Sequence, residues 1–370
     1  MAKIIRGLYI LMFLLLIALP VAIYPCIGKD LDAENFEKRE MSQKPVLRIQ
    51  NFTNFPGEYE AYFNDSLPFR NRLIGLNTRI DLSLFNISPV PHVLIGSDGF
   101  LFYHPNGADG NPIGDFAGTT QYTDSEIKLI AHRLLRAQYD LEKEGRRFTV
   151  LIAPNKETMY AEKFLPGIQK ENDISRADKV YAYLKEKTDL NVVYPKDELN
   201  AVMTEHSDWY TYYKTDTHWN SIGAYVGTSL VMEKLGLPIN DIDSVRVIEK
   251  QRAPGDLAYM LSMTESFPDD VDYNIVDTSA PAAIRKDASF GDGENMVRYT
   301  NSEGNGKTLL VVRDSFAVFM MPYFNSHFSQ CYYIHKSAYH PGMIREYDPD
   351  CVVFETVERY LSDAMDFYAK

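Results

Sequence analysis

The stretch Leu309-Leu310-Val311-Val312-Arg313-Asp314-Ser315-Phe316 decides the fold. Four apolar residues in a row, two of them β-branched, read as a strand buried on both faces. A helix is expected from about Phe316, which leaves Ser315 at a strand-to-helix turn. Two similar runs follow, Cys331-Tyr332-Tyr333-Ile334 and Cys351-Val352-Val353-Phe354. A turn around Pro341 and a helix from about Val357 complete the last third. Short buried strands separated by helices predict a parallel sheet covered on both faces.

The same alternation extends upstream. Phe148 to Ala153 is a short apolar strand bounded by Pro154, and Val192 to Tyr194 is another. Thr123 and Glu126 form a capping box for a helix running to about Glu144. Helices are also expected over 175–187 and 221–235, the second stopped by Gly236 and Pro238. Val93 to Gly96 and Phe100 to Tyr103 flank Ser97-Asp98-Gly99, a hairpin signal in which Gly99 takes positive φ. Residues 46–90 read as short helical pieces broken by Pro56, Pro68 and Pro89. Residues 252–305, rich in Asp, Ser, Gly and Pro, read as an irregular insertion near the site. The fold class is α/β, a doubly wound and mostly parallel sheet.

Lys3 and Arg6 precede a segment, positions 7–28, that carries no charge. A bilayer core needs about 20 such residues. Positive charge before the segment and none close after it puts the N-terminus inside and the rest outside. We read residues 1–28 as an uncleaved membrane anchor, since no small-x-small cleavage site is evident. A cleaved signal peptide is the alternative, and either way the working domain is extracytoplasmic. Residues 29–45, charged and aperiodic, read as a linker.

The formal net charge of −13 argues against nucleic acid, which requires Lys and Arg to neutralise phosphates. The 25 Tyr and 20 Phe suit sugar-binding surfaces, although core packing accounts for most of them. Cys26, Cys331 and Cys351 make no disulfide scaffold and no zinc site. Cys331 and Cys351 are read as buried thiols unless their strands adjoin. The eight histidines include no His-x-x-x-His pair, so neither a metal nor a cofactor is expected.

Ligands bind beyond the carboxyl ends of strands in open α/β sheets, where Ser315 stands. A nucleophile is exposed there, and helix N–H groups can hold an oxyanion. Ser is equally favoured as a plain helix N-cap. Thr215-Asp216-Thr217-His218-Trp219-Asn220 adds a second element. Asn220 or Ser221 caps the following helix, so Asp216 and His218 lie in the loop before it. There a carboxylate can reach an imidazole two residues away, as it cannot on a helix. Asp216 would accept from Nδ1–H and leave Nε2 to take the proton of Ser315. A loop His packed beside Trp219 is the alternative.

Asp216-Thr217-His218-Trp219 upstream of the Asp314-Ser315-Phe316 turn resembles the AlgJ/AlgX alginate O-acetyltransferases and the related DHHW proteins, all SGNH-hydrolase-like. The resemblance takes in Phe63-Asn64-Asp65 through Pro68-Phe69-Arg70, the 95–103 hairpin, Pro154-Asn155-Lys156 with Tyr160, and Glu355-Thr356-Val357-Glu358-Arg359. It covers roughly residues 45–365. It implies one catalytic unit over 46–370, with 46–120 as an N-terminal extension. It implies Ser315 as nucleophile, His218 as general base and then acid, and Asp216 as its orienter. The chain order is permuted relative to ordinary SGNH esterases, to which triad geometry is indifferent. The resemblance further implies a polysaccharide acceptor and an MBOAT-type membrane acyl carrier as acetyl source.

Two departures stand out. Thr217 replaces the second His of DHHW proteins, and Arg313 replaces the Gly of ordinary SGNH enzymes. The oxyanion donor is left open between the Ser315 N–H and Asn155, with Arg313 and Trp219 as further substrate-side candidates. Lys156, Glu358 and Arg359 read as structural ion pairs. The expected activity is O-acetyl transfer to a cell-surface or secreted polysaccharide through an acetyl-serine. The rivals are a carbohydrate acetylesterase with the same triad and a non-catalytic polysaccharide export or assembly factor.

Overall fold

A computed structural model of the chain describes residues 2–24, 26, 41–85, 88, 90–105, 110–280, 283–288, 290, 291, 293 and 295–368. The chain divides into two compact units, Met1–Val90 with Ala258–Phe267, and Pro91–Leu257 with Pro268–Lys370. The division at Val90 falls inside the stretch read as an N-terminal extension.

The first unit is helical. Ala2–Ile23 forms one helix, and Ile5–Tyr24 within this region has a mean hydropathy of 2.5 over 20 residues. At 1.5 Å per residue it reaches about 30 Å, the thickness of a bilayer core. Residues 29–40 of the expected linker lie outside the described residues, and 41–48 hold neither helix nor strand. Helices Phe55–Asp65 and Arg70–Phe85 follow. Pro56 does not break a helix but sits in the first turn of one, where its missing N–H costs nothing. Pro68 lies between the two helices, and Pro89 is outside the described residues.

The second unit contains every strand among the described residues: β1 (Val93–Ile95), β2 (Leu101–Tyr103), β3 (Arg147–Ala153), β4 (Val192–Val193), β5 (Arg246–Arg252), β6 (Asp270–Val276), β7 (Ile284–Lys286), β8 (Met296–Asn301), β9 (Thr308–Arg313), β10 (Gln330–His335) and β11 (Cys351–Val357). The central sheet runs β4-β3-β11-β9-β10-β8-β7. Its first five strands are parallel, and β8 and β7 are added antiparallel at one edge. Alternation along each strand divides its side chains between two cores. Leu151, Leu309, Val311 and Val353 face Ile222, Tyr225 and Val231 of helix Ser221–Lys234. Val150, Ile152, Leu310, Val312 and Phe354 face Ile130 and Leu134 of helix Asp124–Lys143 and Val180 and Leu184 of helix Arg176–Lys187. Each such side chain, once buried, contributes about 1.5–3 kcal/mol.

Three expectations need correction. The 252–305 segment is not irregular. It supplies β6, which pairs antiparallel with β5 in register Arg246↔Val276, and β7 and β8, which extend the main sheet. The strands escape a hydropathy reading because they are polar and half-exposed, as edge strands commonly are. Secondly, the helix expected at Phe316 opens as a 3-10 turn, Phe316–Phe319, and becomes α-helical only at Met321–His327, where Pro322 stands in the first turn. The helix expected from Val357 is likewise 3-10, Glu358–Met365. Cys331 and Cys351 are free and buried, each in register with Leu309 from opposite sides of β9. Their strands do not adjoin.

Candidate active site

The carboxyl ends of β3, β9 and β11 lie side by side and deliver Asn155, Ser315 and Glu358-Arg359 to one edge of the sheet. β9 stops because Asp314 turns its carboxylate onto the end of β11 and the start of the turn that follows. Oδ2 accepts from the Val357 N–H at 2.7 Å and Oδ1 from the Phe316 N–H at 2.8 Å. The Asp314 N–H donates to Glu355 Oε2 at 3.0 Å. Burial, reinforced by the charge of Asp314, holds the Glu355 carboxyl well above the usual range. Ser315 is left exposed at the apex of this turn.

Ser315 does not act as an N-cap. It has φ −71° and ψ −20°, and its side chain makes no capping hydrogen bond. Its Oγ instead lies 2.8 Å from His218 Nε2. His218 Nδ1 lies 2.6 Å from Asp216 Oδ1, and the same oxygen accepts from the His218 N–H at 3.0 Å. The loop is held open for this by Asn220, whose side chain accepts from the N–H groups of Ile222 and Gly223 and caps the following helix. Ser315, His218 and Asp216 thus form one hydrogen-bonded line, with the imidazole against the rings of Phe316 and Phe319 at 5.0 and 5.4 Å.

The electrostatics follow from burial and charge. Burial would raise the Asp216 carboxyl, but the hydrogen bond and charge of His218 and the charge of Arg252 overcome it and hold the group well below the usual range. Burial would lower the His218 pKa, but the bond to Asp216 and its charge reverse the sign, so His218 is raised. Arg252 Nη2 donates to Asp216 Oδ2 at 3.1 Å, with its guanidinium 4.1 Å from the Tyr213 ring centre. Gly255 permits close approach, since a Cβ there would lie 2.2 Å from Asp216 Cβ. Thr217, the departure from the DHHW pattern, donates from N–H and Oγ1 to Asp256 at 2.8 and 2.7 Å. Asp256 is in turn raised by burial and by the charge of Asp216.

The further candidates fall elsewhere. Trp219 is wholly buried, and its Nε1–H donates to Phe316 O at 2.9 Å. It ties the histidine loop to the serine turn and does not face a substrate. Asn155 is also fully buried. Its amide is committed to Asp115 Oδ2 at 3.1 Å and accepts from the Arg359 N–H at 3.2 Å. Arg313 is buried, with Nη1 donating to Asp314 O at 3.3 Å. The ion pairs expected of two further residues are replaced by hydrogen bonds. Lys156 donates to three carbonyls, and Glu358 accepts from Asn155 N–H, Thr158 Oγ1 and Ser175 Oγ. The sequence reading passed over Arg252, Gly255 and Asp256, whose only local signal is a Pro-Gly turn at 254–255.

A cavity of about 550 Å³ opens beside Ser315, walled by Arg176, His335, Lys336, Arg359 and Tyr360 among others. A neighbouring hollow of about 620 Å³ shares Lys336 and Asp363 but lacks Ser315. Of the two, only the first is lined by Ser315. Two clusters, Asp216 with His218 and Asp256, and Glu205 with His206 and Asp243, bring potential metal-ligand atoms within 4.8 Å among the described residues. In the first, both imidazole nitrogens are already engaged by Asp216 and Ser315. The second lies at the surface, where acidic groups gather without an ion.

Comparison with known proteins agrees with this architecture. The chain is 25% identical over 256 residues to a Pseudomonas syringae pv. tomato protein named "Probable alginate O-acetylase AlgJ", matching 64% of this chain and 59% of that protein. A Pseudomonas aeruginosa protein of the same name is 23% identical over 218 residues, 56% of this chain and 51% of the other. The chain therefore spans between half and three-fifths of the length of these curated relatives. Among solved structures, Bacillus cereus PatB1 superposes with a TM-score of 0.54 at 16% identity, over 74% of this chain and 99% of PatB1, a likeness of fold. The family model described as SGNH hydrolase-like domain, acetyltransferase AlgX, matches residues 93–298, which include Asp216 and His218 and end before Ser315. More than half of the chain is matched in this way, and the chain belongs to that SGNH hydrolase-like AlgX family.

Proposed function

We propose that the chain is an extracytoplasmic O-acetyltransferase that moves acetyl groups to hydroxyls of a cell-surface or secreted polysaccharide through an acetyl-Ser315 intermediate. The observation that carries this is the line Ser315 Oγ to His218 Nε2 to Asp216, at 2.8 and 2.6 Å, ending on an exposed hydroxyl. His218 Nε2 takes the Ser315 proton as Oγ attacks the acyl carbon, and returns it to the departing oxygen of the donor. A sugar hydroxyl then gives its proton to the same nitrogen as its oxygen attacks the acetyl carbon, and that proton passes to Ser315 Oγ as the acetyl–serine bond breaks. The Ser315 N–H at the head of the 3-10 turn is the proposed oxyanion donor. The cavity beside Ser315 is of a size that admits a sugar.

The relatives' names supply the acceptor class, a polysaccharide, and the candidate span fits a catalytic unit held at the membrane. Acetyl-CoA is confined to the cytoplasm, so a membrane acyl carrier of the MBOAT type is the proposed donor. The test uses full-length protein in detergent with p-nitrophenyl acetate and oligosaccharide acceptors. Ser315→Ala is expected to lower kcat by at least about a thousandfold, His218→Ala comparably. Wild type is expected to yield acetylated oligosaccharide. Acetate as the only product, with every acceptor left unmodified, would favour hydrolysis instead.

A further inference from the structure

Lys156 opens the helix after β3 and is 1% exposed, yet it faces no carboxylate at ion-pair distance among the described residues. Its ammonium donates to Leu101 O at 2.7 Å, Lys214 O at 2.7 Å and Asp216 O at 3.0 Å. Three donors meet three acceptors, so the hydrogen-bonding capacity of the group is used up. The rings of Phe100 and Phe102 lie 5.5 and 5.4 Å from the nitrogen and exclude water. A buried cation is tolerated only when so satisfied. One side chain therefore clasps β2 to two carbonyls of the loop that carries the acid of the triad.

We propose that Lys156 is a positioning residue for catalysis: by holding the Asp216 carbonyl it fixes the Asp216 side chain, and through it His218, in reach of Ser315. The carboxylate of Asp216 is steered from its far side by Arg252, and Gly255, lacking a Cβ, leaves room for it. On the backbone side the loop is gripped by Lys156. Burial lowers the Lys156 ammonium to about 8, against the opposing charges of Glu157, Asp270, Asp216 and Asp256. Lys214 turns its own ammonium to Asp98 O. Loss of the Lys156 proton removes one donor and releases one carbonyl of the clasp. This inference rests on the acetyl-Ser315 reading, and the experiment separates the two.

Full-length wild type, Lys156→Met, Lys156→Arg, Ser315→Ala and Tyr333→Phe are compared for p-nitrophenyl acetate turnover against pH, corrected for spontaneous hydrolysis, and for thermal unfolding. Tyr333 donates to Asn325 in the core and serves as a control for lost stability. Lys156→Met is expected to lower kcat about a hundredfold with little change in KM, the scale of a small misplacement of catalytic groups. Its acid limb should also move down toward the ordinary histidine value. Lys156→Arg should restore part of the rate, and Tyr333→Phe should unfold earlier with rate and acid limb unchanged. A folded Lys156→Met with the wild-type rate and acid limb overturns the proposal. Should that variant not fold, Lys156→Gln takes its place with the same lowered kcat and acid limb expected, and a folded Lys156→Gln with the wild-type rate and acid limb overturns the proposal equally. Full activity in Ser315→Ala would instead sink the acetyl-serine reading.

Discussion

His218 receives a hydrogen bond partner on each ring nitrogen, and the two partners ask different things of it. In the proposed mechanism Asp216 at Nδ1 fixes the tautomer and stabilises the imidazolium that forms when Nε2 takes the Ser315 proton. The raised pKa of His218 sets the direction of the pH dependence. Only the neutral ring accepts a proton, so kcat/KM should fall as pH drops, with the limb centred above the ordinary 6.5. A limb at or below 6.5 would contradict the geometry. Linkage works in the same pair. The stabilisation from His218 is complete below 6.5 and fades as pH rises through the folded value, while that from Asp216 is present above 3.8 and fades as pH falls through its depressed folded value. The meeting of Ser315, His218 and Asp216 was legible in the sequence because their placement depends on local features: a strand end, and a spacing of two ahead of a helix cap. Arg252 and Lys156 were not. They meet Asp216 across 36 and 60 residues of chain, and nothing local marks a loop carbonyl as the target of a lysine.

Three elements must agree for the site to exist: the turn after β9, the loop before helix Ser221–Lys234, and the start of the helix after β3. Trp219 joins the first two through its hydrogen bond to Phe316 O, and helix Ser221–Lys234 approaches the indole so closely that a Cβ on Gly227 would lie 2.9 Å from it. Trp219→Phe keeps the ring in this slot but leaves a buried carbonyl unpaired. It should destabilise the protein by about 1–3 kcal/mol in denaturant titration. The turnover rate should fall as well, because the serine turn and the histidine loop lose their tie. A stability loss with full activity would show that the tie does not serve the site. At this scale the strands β3, β9, β10 and β11 were legible, being continuous apolar runs buried on both faces. β5 to β8 were hidden by their polar residues. Their existence depends on pairing with a neighbour, as in Tyr299 opposite Cys331, and a single-segment reading does not contain it.

On the scale of the whole molecule, the chain joins a helix of membrane-crossing length to an α/β unit with an exposed serine. The orientation proposed from Lys3 and Arg6 ahead of the span puts the N-terminus inside. Protease added to intact cells should therefore digest the unit formed by Pro91–Leu257 and Pro268–Lys370, and protection until the membrane is broken would contradict that orientation. The negative net charge of −13 suits the proposed carbohydrate acceptor better than a nucleic acid. The central claim is that acetyl rests on Ser315 between donor and acceptor. Its most direct test is mass spectrometry of the full-length protein quenched during turnover of p-nitrophenyl acetate without acceptor. The account predicts one acetyl group on the peptide containing Ser315, absent from Ser315→Ala and discharged when a hydroxyl acceptor is added. An unmodified Ser315 peptide during sustained turnover, or equal turnover by Ser315→Ala, would contradict it.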